Sequence, residues 1–217
     1  MKNKRIIFID LDGTILDVSK RIYQLYVEIL KKYGKKFLAK KNYIKLKREK
    51  KSLKDILKKT QAGDISGKFK KEWKDKIEDP AFLNLDTVSF STRKKLVHLK
   101  NNYKLVLVTL RNHPRSLINQ LKKKKIDKIF DKILVKSARG YRLRWKVKYN
   151  LIQKYGKHDK YSIMIGDTET DILAGKKLKI KTVAVSGGMR NRKFLKKYKP
   201  DFLIKNIAEI KKYAGKI

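Results

Sequence analysis

The chain alternates short apolar runs with stretches that carry apolar residues at helical spacing. The runs are continuous and rich in Ile, Val and Leu, which is typical of strands buried on both faces of a parallel sheet. Strand–helix repetition of this kind predicts a parallel sheet with right-handed crossovers. The strands are predicted at 6–9, 103–109, 132–135, 161–165, 181–185 and 202–204.

One long segment breaks this alternation. A helical pattern starts near Asp17 and stops at Gly34, and it is followed by short amphipathic stretches and no convincing strand up to about Leu85. We therefore predict an α/β protein with a Rossmann-like parallel-sheet core and an inserted α-helical cap. The predicted boundaries give the core residues 1–16 and 86–217 and the cap residues 17–85.

The charge of the chain is strongly positive. The 217 residues include 60 Lys and Arg against 20 Asp and Glu, a formal net charge of +40. Such a chain attracts anions, so nucleic acid is one partner that the charge suggests. The lysines are spread along the whole chain, however, which favours a compositional bias. We therefore do not favour nucleic acid as the partner, and we expect the positive field to favour anionic substrates.

Composition also excludes several classes of protein. There is no cysteine, which excludes a disulfide framework, a thiolate metal site and a thiol nucleophile. The first apolar run is too short for a signal peptide, and no stretch approaches membrane-spanning length. We expect a cytoplasmic protein without a membrane partner, and its oligomeric state cannot be read from the sequence.

Polar side chains follow three of the predicted strands. Asp10 and Asp12 end the first strand, Thr109 ends the second, and Asp167 and Asp171 follow the fourth. Strand ends in a parallel sheet meet at one edge, so these groups are expected to share a crevice. Several carboxylates there would suit a hard cation such as Mg²⁺. An Asp-Gly turn and helix N-capping by the later pair are the structural alternatives.

In this context the residues resemble a known family. Asp10-Leu11-Asp12-Gly13-Thr14-Ile15 is similar to the first motif of the haloacid dehalogenase superfamily of hydrolases. Thr109 resembles the second motif, and Gly166-Asp167-Thr168-Glu169-Thr170-Asp171 resembles the fourth. A helical insertion between the first two motifs matches the phosphoglycolate-phosphatase-like branch.

The resemblance implies a mechanism. Asp10 would be the nucleophile that forms an aspartyl phosphate, and Asp12 would be the general acid and base. Mg²⁺ would be held by Asp10, the carbonyl of Asp12 and Asp167, with Asp171 supporting the ion or its waters. Thr109 would bind phosphoryl oxygens. Dehalogenases of the superfamily lack an acid at the position of Asp12, so the resemblance implies phosphoryl chemistry.

The cation of the third motif is less clear from the sequence. Alignment with the family places Arg144 at the usual lysine position, and Lys146 is an equal candidate for binding the substrate phosphate. Lys148 is close enough in sequence to serve instead. Arg111 is a further candidate phosphate ligand. Gly187-Gly188 follows a strand and favours a simple turn, with an approach to the site as the alternative.

The resemblance therefore implies a Mg²⁺-dependent phosphatase that hydrolyses a small anionic phosphomonoester, so the expected partner is a small phosphorylated metabolite. The cap is expected to close over the site and select the leaving group. Two alternatives remain at this stage. One is a basic nucleic-acid-binding protein on the same fold, and the other is a phosphomutase.

Overall fold

The structure is a computed structural model that describes residues 4–213. Six parallel strands form one sheet in the order β3-β2-β1-β4-β5-β6. Every predicted strand is present, although the fourth begins at Ile163, because the amide of Ser162 donates to the carbonyl of Asp159 in a turn. The strands are β1 (Arg5–Ile9), β2 (Tyr103–Thr109), β3 (Lys132–Val135), β4 (Ile163–Gly166), β5 (Lys181–Val185) and β6 (Phe202–Ile204).

Ten α-helices lie within the described residues, together with three 3₁₀ turns at Gly63–Ile65, Asp127–Ile129 and Ile207–Tyr213. Six of the α-helices lie between the first and second strands, and the first five of these lie within residues 18–87. The α-helices are α1 (Ser19–Lys32), α2 (Lys40–Arg48), α3 (Leu53–Lys58), α4 (Ser66–Lys76), α5 (Pro80–Leu83), α6 (Phe90–Asn102), α7 (Pro114–Lys123), α8 (Arg144–Tyr155), α9 (Glu169–Lys177) and α10 (Arg192–Lys196).

Both faces of the sheet are buried. Successive side chains of a strand point to opposite faces, so Phe8 and Ile9 face different sides, yet both are fully buried. On the side of Phe8, side chains of β2 and β4 pack with Ile152 of α8. Burial on both faces explains why the strands read as continuous apolar runs.

The strand order places the switch point of the sheet at β1. From β1 the chain continues to β2 and β3 on one side, and the remaining strands then form on the other side. Ile9 at the end of β1 pairs with Leu107 of β2 and Ile165 of β4. Residues that follow these strands therefore lie at one level of the carboxyl edge, where open α/β sheets bind ligands.

The chain divides into two compact units, residues 1–17 with 88–217 and residues 18–87. The second unit, hereafter the insertion, contains helices and turns only, as the sequence pattern indicates. Its core combines aliphatic side chains with aromatic rings. Tyr26 stacks on Tyr43 with 4.1 Å between ring centroids, and Phe69 stacks on Trp73. The insertion also contains a buried ion pair between Arg21 and Asp86.

No helix in residues 4–213 combines the length and the apolar character that a membrane crossing requires.

Candidate active site

Three carboxylates converge at the carboxyl edge of the sheet. Asp10 directly follows β1, Asp167 directly follows β4, and Asp171 lies in the first turn of α9. Each offers a carboxylate oxygen, and these three oxygens lie within 4.8 Å of one another. All three side chains are buried. The structure thus brings together residues that are more than 150 positions apart in the sequence.

A buried lysine lies among these carboxylates. The Nζ of Lys148 donates to Asp10 Oδ1 at 2.5 Å and also to Asp171 Oδ1. Lys148 is on α8, whose neighbouring buried residues Val147 and Ile152 hold this face of the helix against the protein interior. The ammonium group offsets one of the three negative charges that the carboxylates carry when ionised.

The electrostatics of the cluster follow from burial. Burial raises the pKa of Asp10 to about 7, although the ammonium of Lys148 opposes this shift. Burial also raises the pKa of Asp167 well above its usual value, and the charges of Asp10 and Asp171 add to the effect. Burial works against the charged form of Lys148, but the two adjacent carboxylates outweigh it and raise its pKa. The lysine therefore stays protonated.

Two glycines allow the backbone to approach Asp167 closely. Gly13 has φ of +85°, and a Cβ there would lie 2.0 Å from Asp167 Oδ2. A Cβ on Gly188 would lie 2.2 Å from the carbonyl oxygen of Gly13. The amide of Met189 donates to Asp167 Oδ2 at 2.5 Å. The chain turns at Ser186-Gly187, as predicted, and Gly188 also approaches the site, which was the alternative.

Two threonines surround the cluster. The hydroxyl of Thr14 lies 3.3 Å from Asp10 Oδ2 and 3.3 Å from Asp167 Oδ1, so its single proton serves one of them at a time. Asp171 Oδ2 accepts from the amide and the hydroxyl of Thr168 at the start of α9. Asp171 thus caps the helix with one oxygen and accepts from Lys148 with the other.

The side chain of Asp12 has a different partner. Arg111, in the loop after β2, donates from Nε to Asp12 Oδ2 at 2.6 Å and from Nη2 to Asp12 Oδ1 at 2.6 Å. The carboxylate of Asp12 is not among the three that converge. From the sequence, Arg111 was a candidate phosphate ligand or a solvent-facing residue; it is buried instead, and its position two residues after the strand end was the available signal.

The remaining predicted residues lie at different places. Thr109 is the last residue of β2 and is buried, so it reaches the carboxyl edge of the sheet. Arg144 and Lys146 are both exposed, and the Nζ of Lys146 lies 5.8 Å from the ring centroid of Trp145. The structure brings neither to the carboxylates, because α8 turns its buried face toward them at Lys148. The preference for Arg144 or Lys146 is corrected on this geometry.

The cluster fits a divalent cation. Its three carboxylates and one ammonium leave two negative charges when all are ionised, and every donor that faces the cluster is oxygen. Oxygen donors suit a hard cation such as Mg²⁺. Burial without a cation disfavours the charged forms of Asp10 and Asp167, which is the penalty that a bound cation would remove.

Known proteins resemble this chain over most of its length. A family model described as haloacid dehalogenase-like hydrolase matches residues 6–185. The chain is 24% identical to the pyrophosphatase PpaX of Bacillus mycoides over 97% of the chain and 96% of that protein.

Solved structures show the same fold. One is a protein described as a predicted phosphoglycolate phosphatase from Haemophilus somnus, with a TM-score of 0.75, 20% identity and 99% of each chain covered. Another is a haloacid dehalogenase-like family hydrolase from Streptococcus pneumoniae, with a TM-score of 0.72 and 22% identity, covering 99% of this chain and 100% of that chain.

Proposed function

The chain belongs to the haloacid dehalogenase-like hydrolases, and on that premise we propose that it is a Mg²⁺-dependent phosphatase acting on a small anionic phosphomonoester. The observation that carries the proposal is the buried group of Asp10, Asp167, Asp171 and Lys148 at the carboxyl edge of the sheet. The side chain of Asp12, two residues after Asp10, is 28% exposed and supplies a carboxyl group outside this buried group.

Asp10 is the proposed nucleophile. Its carboxylate attacks phosphorus, and the bond between phosphorus and the leaving oxygen breaks as the aspartyl phosphate forms. Lys148 donates to Asp10 Oδ1 and holds the carboxylate in one orientation. A fixed nucleophile lowers the entropic cost of the attack.

Asp12 is the proposed general acid and base. It gives its proton to the leaving oxygen in the first half of the reaction. In the second half it takes a proton from the water that attacks phosphorus, the bond to Asp10 breaks, and inorganic phosphate leaves. The side chain of Asp12 is 28% exposed and lies outside the group of three converging carboxylates, so the proposal assigns its carbonyl to the cation and its carboxyl group to proton transfer.

Asp10, Asp167 and the carbonyl of Asp12 would hold the cation, and Asp171 would support it. When bound, Mg²⁺ reduces the repulsion between a carboxylate nucleophile and a phosphate dianion. Asp167 is oriented for this role by the amide of Met189.

Lys148 and Thr109 are the proposed phosphate-binding groups. Lys148 supplies the positive charge that the sequence analysis assigned to Arg144 or Lys146. Thr109 ends β2, two residues beyond Leu107, which pairs with Ile9, so it lies at the carboxyl edge where it would bind a phosphoryl oxygen. All these groups address the phosphoryl group, so the leaving group must be recognised by other residues.

Hydrolysis of p-nitrophenyl phosphate with and without Mg²⁺ tests the proposal. We expect turnover that requires Mg²⁺ and falls on the order of 10³-fold or more in Asp10→Asn. Asp75→Asn, which removes the charge of an exposed aspartate in the insertion, is the matched control and should retain full activity. Unchanged turnover in Asp10→Asn would show that the nucleophile is misassigned.

A panel of phosphorylated compounds then distinguishes between the candidate substrates. The names of the similar proteins suggest pyrophosphate and phosphoglycolate as the first compounds to include. The panel compares kcat/KM at fixed Mg²⁺ for these two and for sugar phosphates and nucleoside monophosphates. Equal, low values for all of them would argue against a small-metabolite phosphatase.

A further inference from the structure

Arg111 grips the carboxyl group of Asp12 with a two-point contact. Its Nε and Nη2 donate to Oδ2 and Oδ1 of Asp12, each at 2.6 Å. Parallel hydrogen bonds from a planar guanidinium fix the plane of a carboxylate as well as its position. A single point charge such as a lysine ammonium would fix only the position.

The guanidinium is itself held in place. The side chain of Arg111 is 3% exposed, whereas that of Asp12 is 28% exposed. Its Nη2 also donates to Oε1 of Gln120 at 3.2 Å, and Gln120 is a buried residue of α7. A buried and hydrogen-bonded arginine thus supports a partly exposed aspartate. Gln120 of α7 therefore helps to hold Arg111, and Arg111 in turn holds the carboxyl group of Asp12.

We propose that Arg111 is a positioning residue, which orients the carboxyl group of Asp12 for proton transfer to and from the reacting oxygens. The inference rests on the proposed function, because it concerns the acid and base of that reaction. Arg111 acts through Asp12 and touches neither phosphorus nor the leaving group in this role.

The two halves of the reaction use the contact differently. When Asp12 carries its proton, one oxygen bears hydrogen and the other still accepts from Arg111. When the proton passes to the leaving oxygen and the phosphorus–oxygen bond breaks, Asp12 becomes a carboxylate that accepts both N–H groups. The same carboxylate then receives the proton of the attacking water. Arg111 thus keeps one oxygen anchored while the other exchanges the proton.

Aryl phosphates with different leaving groups test this role. The leaving group of p-nitrophenyl phosphate is a weak base that departs without a proton. The leaving group of phenyl phosphate is a stronger base, so its departure depends more on protonation by a general acid. A full general acid contributes about 10²–10⁴-fold, so a misoriented one should cost phenyl phosphate about tenfold more than p-nitrophenyl phosphate. The readout is kcat/KM for p-nitrophenyl phosphate divided by kcat/KM for phenyl phosphate. This ratio is independent of the fraction of folded enzyme.

We expect the ratio to rise about tenfold in Arg111→Gln and to stay unchanged in Arg115→Gln. Arg115 is an exposed arginine of α7 and provides the matched loss of charge. Arg111→Lys should also raise the ratio, because an ammonium group cannot donate the two parallel hydrogen bonds of a guanidinium. Gln120→Ala should raise it by a smaller factor, and it replaces Arg111→Gln if that variant does not fold.

Three outcomes would overturn the inference. An equal fall for both substrates, with a higher KM, would make Arg111 a phosphate ligand. Faster hydrolysis of phenyl phosphate in Arg111→Gln would show that the contact restrains Asp12 from reacting. Full rescue by Arg111→Lys would show that charge alone is required. Activity that survives Asp10→Asn would instead refute the proposed function, so the two failures are distinguishable.

Discussion

The core and the insertion are similarly basic, but they bury different side chains. The insertion, residues 18–87, carries 21 of the 60 Lys and Arg and nine of the 20 Asp and Glu, and the core carries the remainder. The insertion buries aromatic rings such as those of Tyr26 and Tyr43. Its buried charged side chains are far fewer than its apolar ones and are those of Arg21, Glu78 and Asp86. The core buries three carboxylates around one lysine.

This difference shows which feature identifies a site. Basic residues occur on both units in proportion to their length, so the net charge singles out neither of them. Aromatic packing stabilises a small helical unit, so the buried rings of the insertion have a structural explanation. Three carboxylates whose oxygens lie within 4.8 Å of one another bring no such stability, and such crowding is typical of a functional site.

The largest expected effect is that of Lys148→Met. This change leaves Asp10 and Asp171 buried without the cation that both contact. Breaking a buried ion pair by removing one partner costs about 3–5 kcal/mol of the free energy of unfolding. Hydrolysis of p-nitrophenyl phosphate should be lost as well. Urea unfolding at pH 7 and a steady-state assay measure the two effects.

Lys146→Met is the control for this experiment. Lys146 is exposed on the same helix, so its loss should change the free energy of unfolding by no more than about 0.5 kcal/mol. If Lys146→Met abolishes activity and Lys148→Met retains it, the lysine assignment is wrong.

In the insertion, Phe69→Ala should destabilise the protein without altering the carboxylate cluster. Phe69 is buried and stacks on Trp73 at 5.7 Å between ring centroids. Loss of a buried Phe typically costs about 3–5 kcal/mol. Phe37→Ala, at a position 41% exposed, is the control with a small effect. The rise in Tm caused by Mg²⁺ should stay the same in both variants, and its loss in Phe69→Ala would contradict the separation of roles.

The carboxylate cluster also predicts how stability depends on pH when metal is removed. The folded pKa of Asp10 is raised from 3.8 to about 7, so between these values the folded state binds more protons than the unfolded state. Stability therefore falls as pH rises through this window. With EDTA, Tm should be lower at pH 8 than at pH 5, and Asp10→Asn should reduce the difference.

Added Mg²⁺ should reverse part of this loss. A cation at about 100 times its Kd stabilises the folded state by about 2.7 kcal/mol, provided that it does not bind the unfolded chain. Because ionised carboxylates bind the cation best, the rise in Tm should be larger at pH 8 than at pH 5. An equal rise at both values would argue against binding at the raised carboxyl groups.

The smallest effect is expected from surface charge. Lys58 and Lys59 of the insertion and Lys196 and Lys197 of the core are exposed pairs. Changing either pair to Gln should reduce the slope of log affinity for duplex DNA against log salt by at most about 2. Similar changes for both pairs would indicate diffuse attraction. A change confined to one pair would reveal a defined nucleic-acid surface and would support the alternative hypothesis of a nucleic-acid-binding protein.

Most of the sheet was predictable because buried parallel strands have a simple pattern. β2, β3, β5 and β6 begin and end where the apolar runs do. The convergence of Asp10 with Asp167 and Asp171 was also predictable, since each follows a strand or opens the next helix. Strand ends of a parallel sheet meet at one edge whatever their separation in sequence.

The choice of the lysine was not predictable by periodicity. Arg144 and Lys148 are one helical turn apart and share a face, whereas Lys146 points elsewhere. Pattern alone cannot decide which turn of a helix reaches the sheet edge. The same holds for Gly188 and Met189, whose approach to Asp167 depends on the path of the loop after β5.

The sequence by itself determined the alternation of strands and helices, the helical character of the insertion and the first carboxylates of the site. Local patterns encode these features, because each depends on residues only a few positions apart. The tertiary structure alone decided that Lys148 lies on Asp10 and Asp171, that Arg111 grips Asp12, and that Met189 contacts Asp167. These contacts join distant segments, and only the packing of helices and loops on the sheet fixes the distances between them.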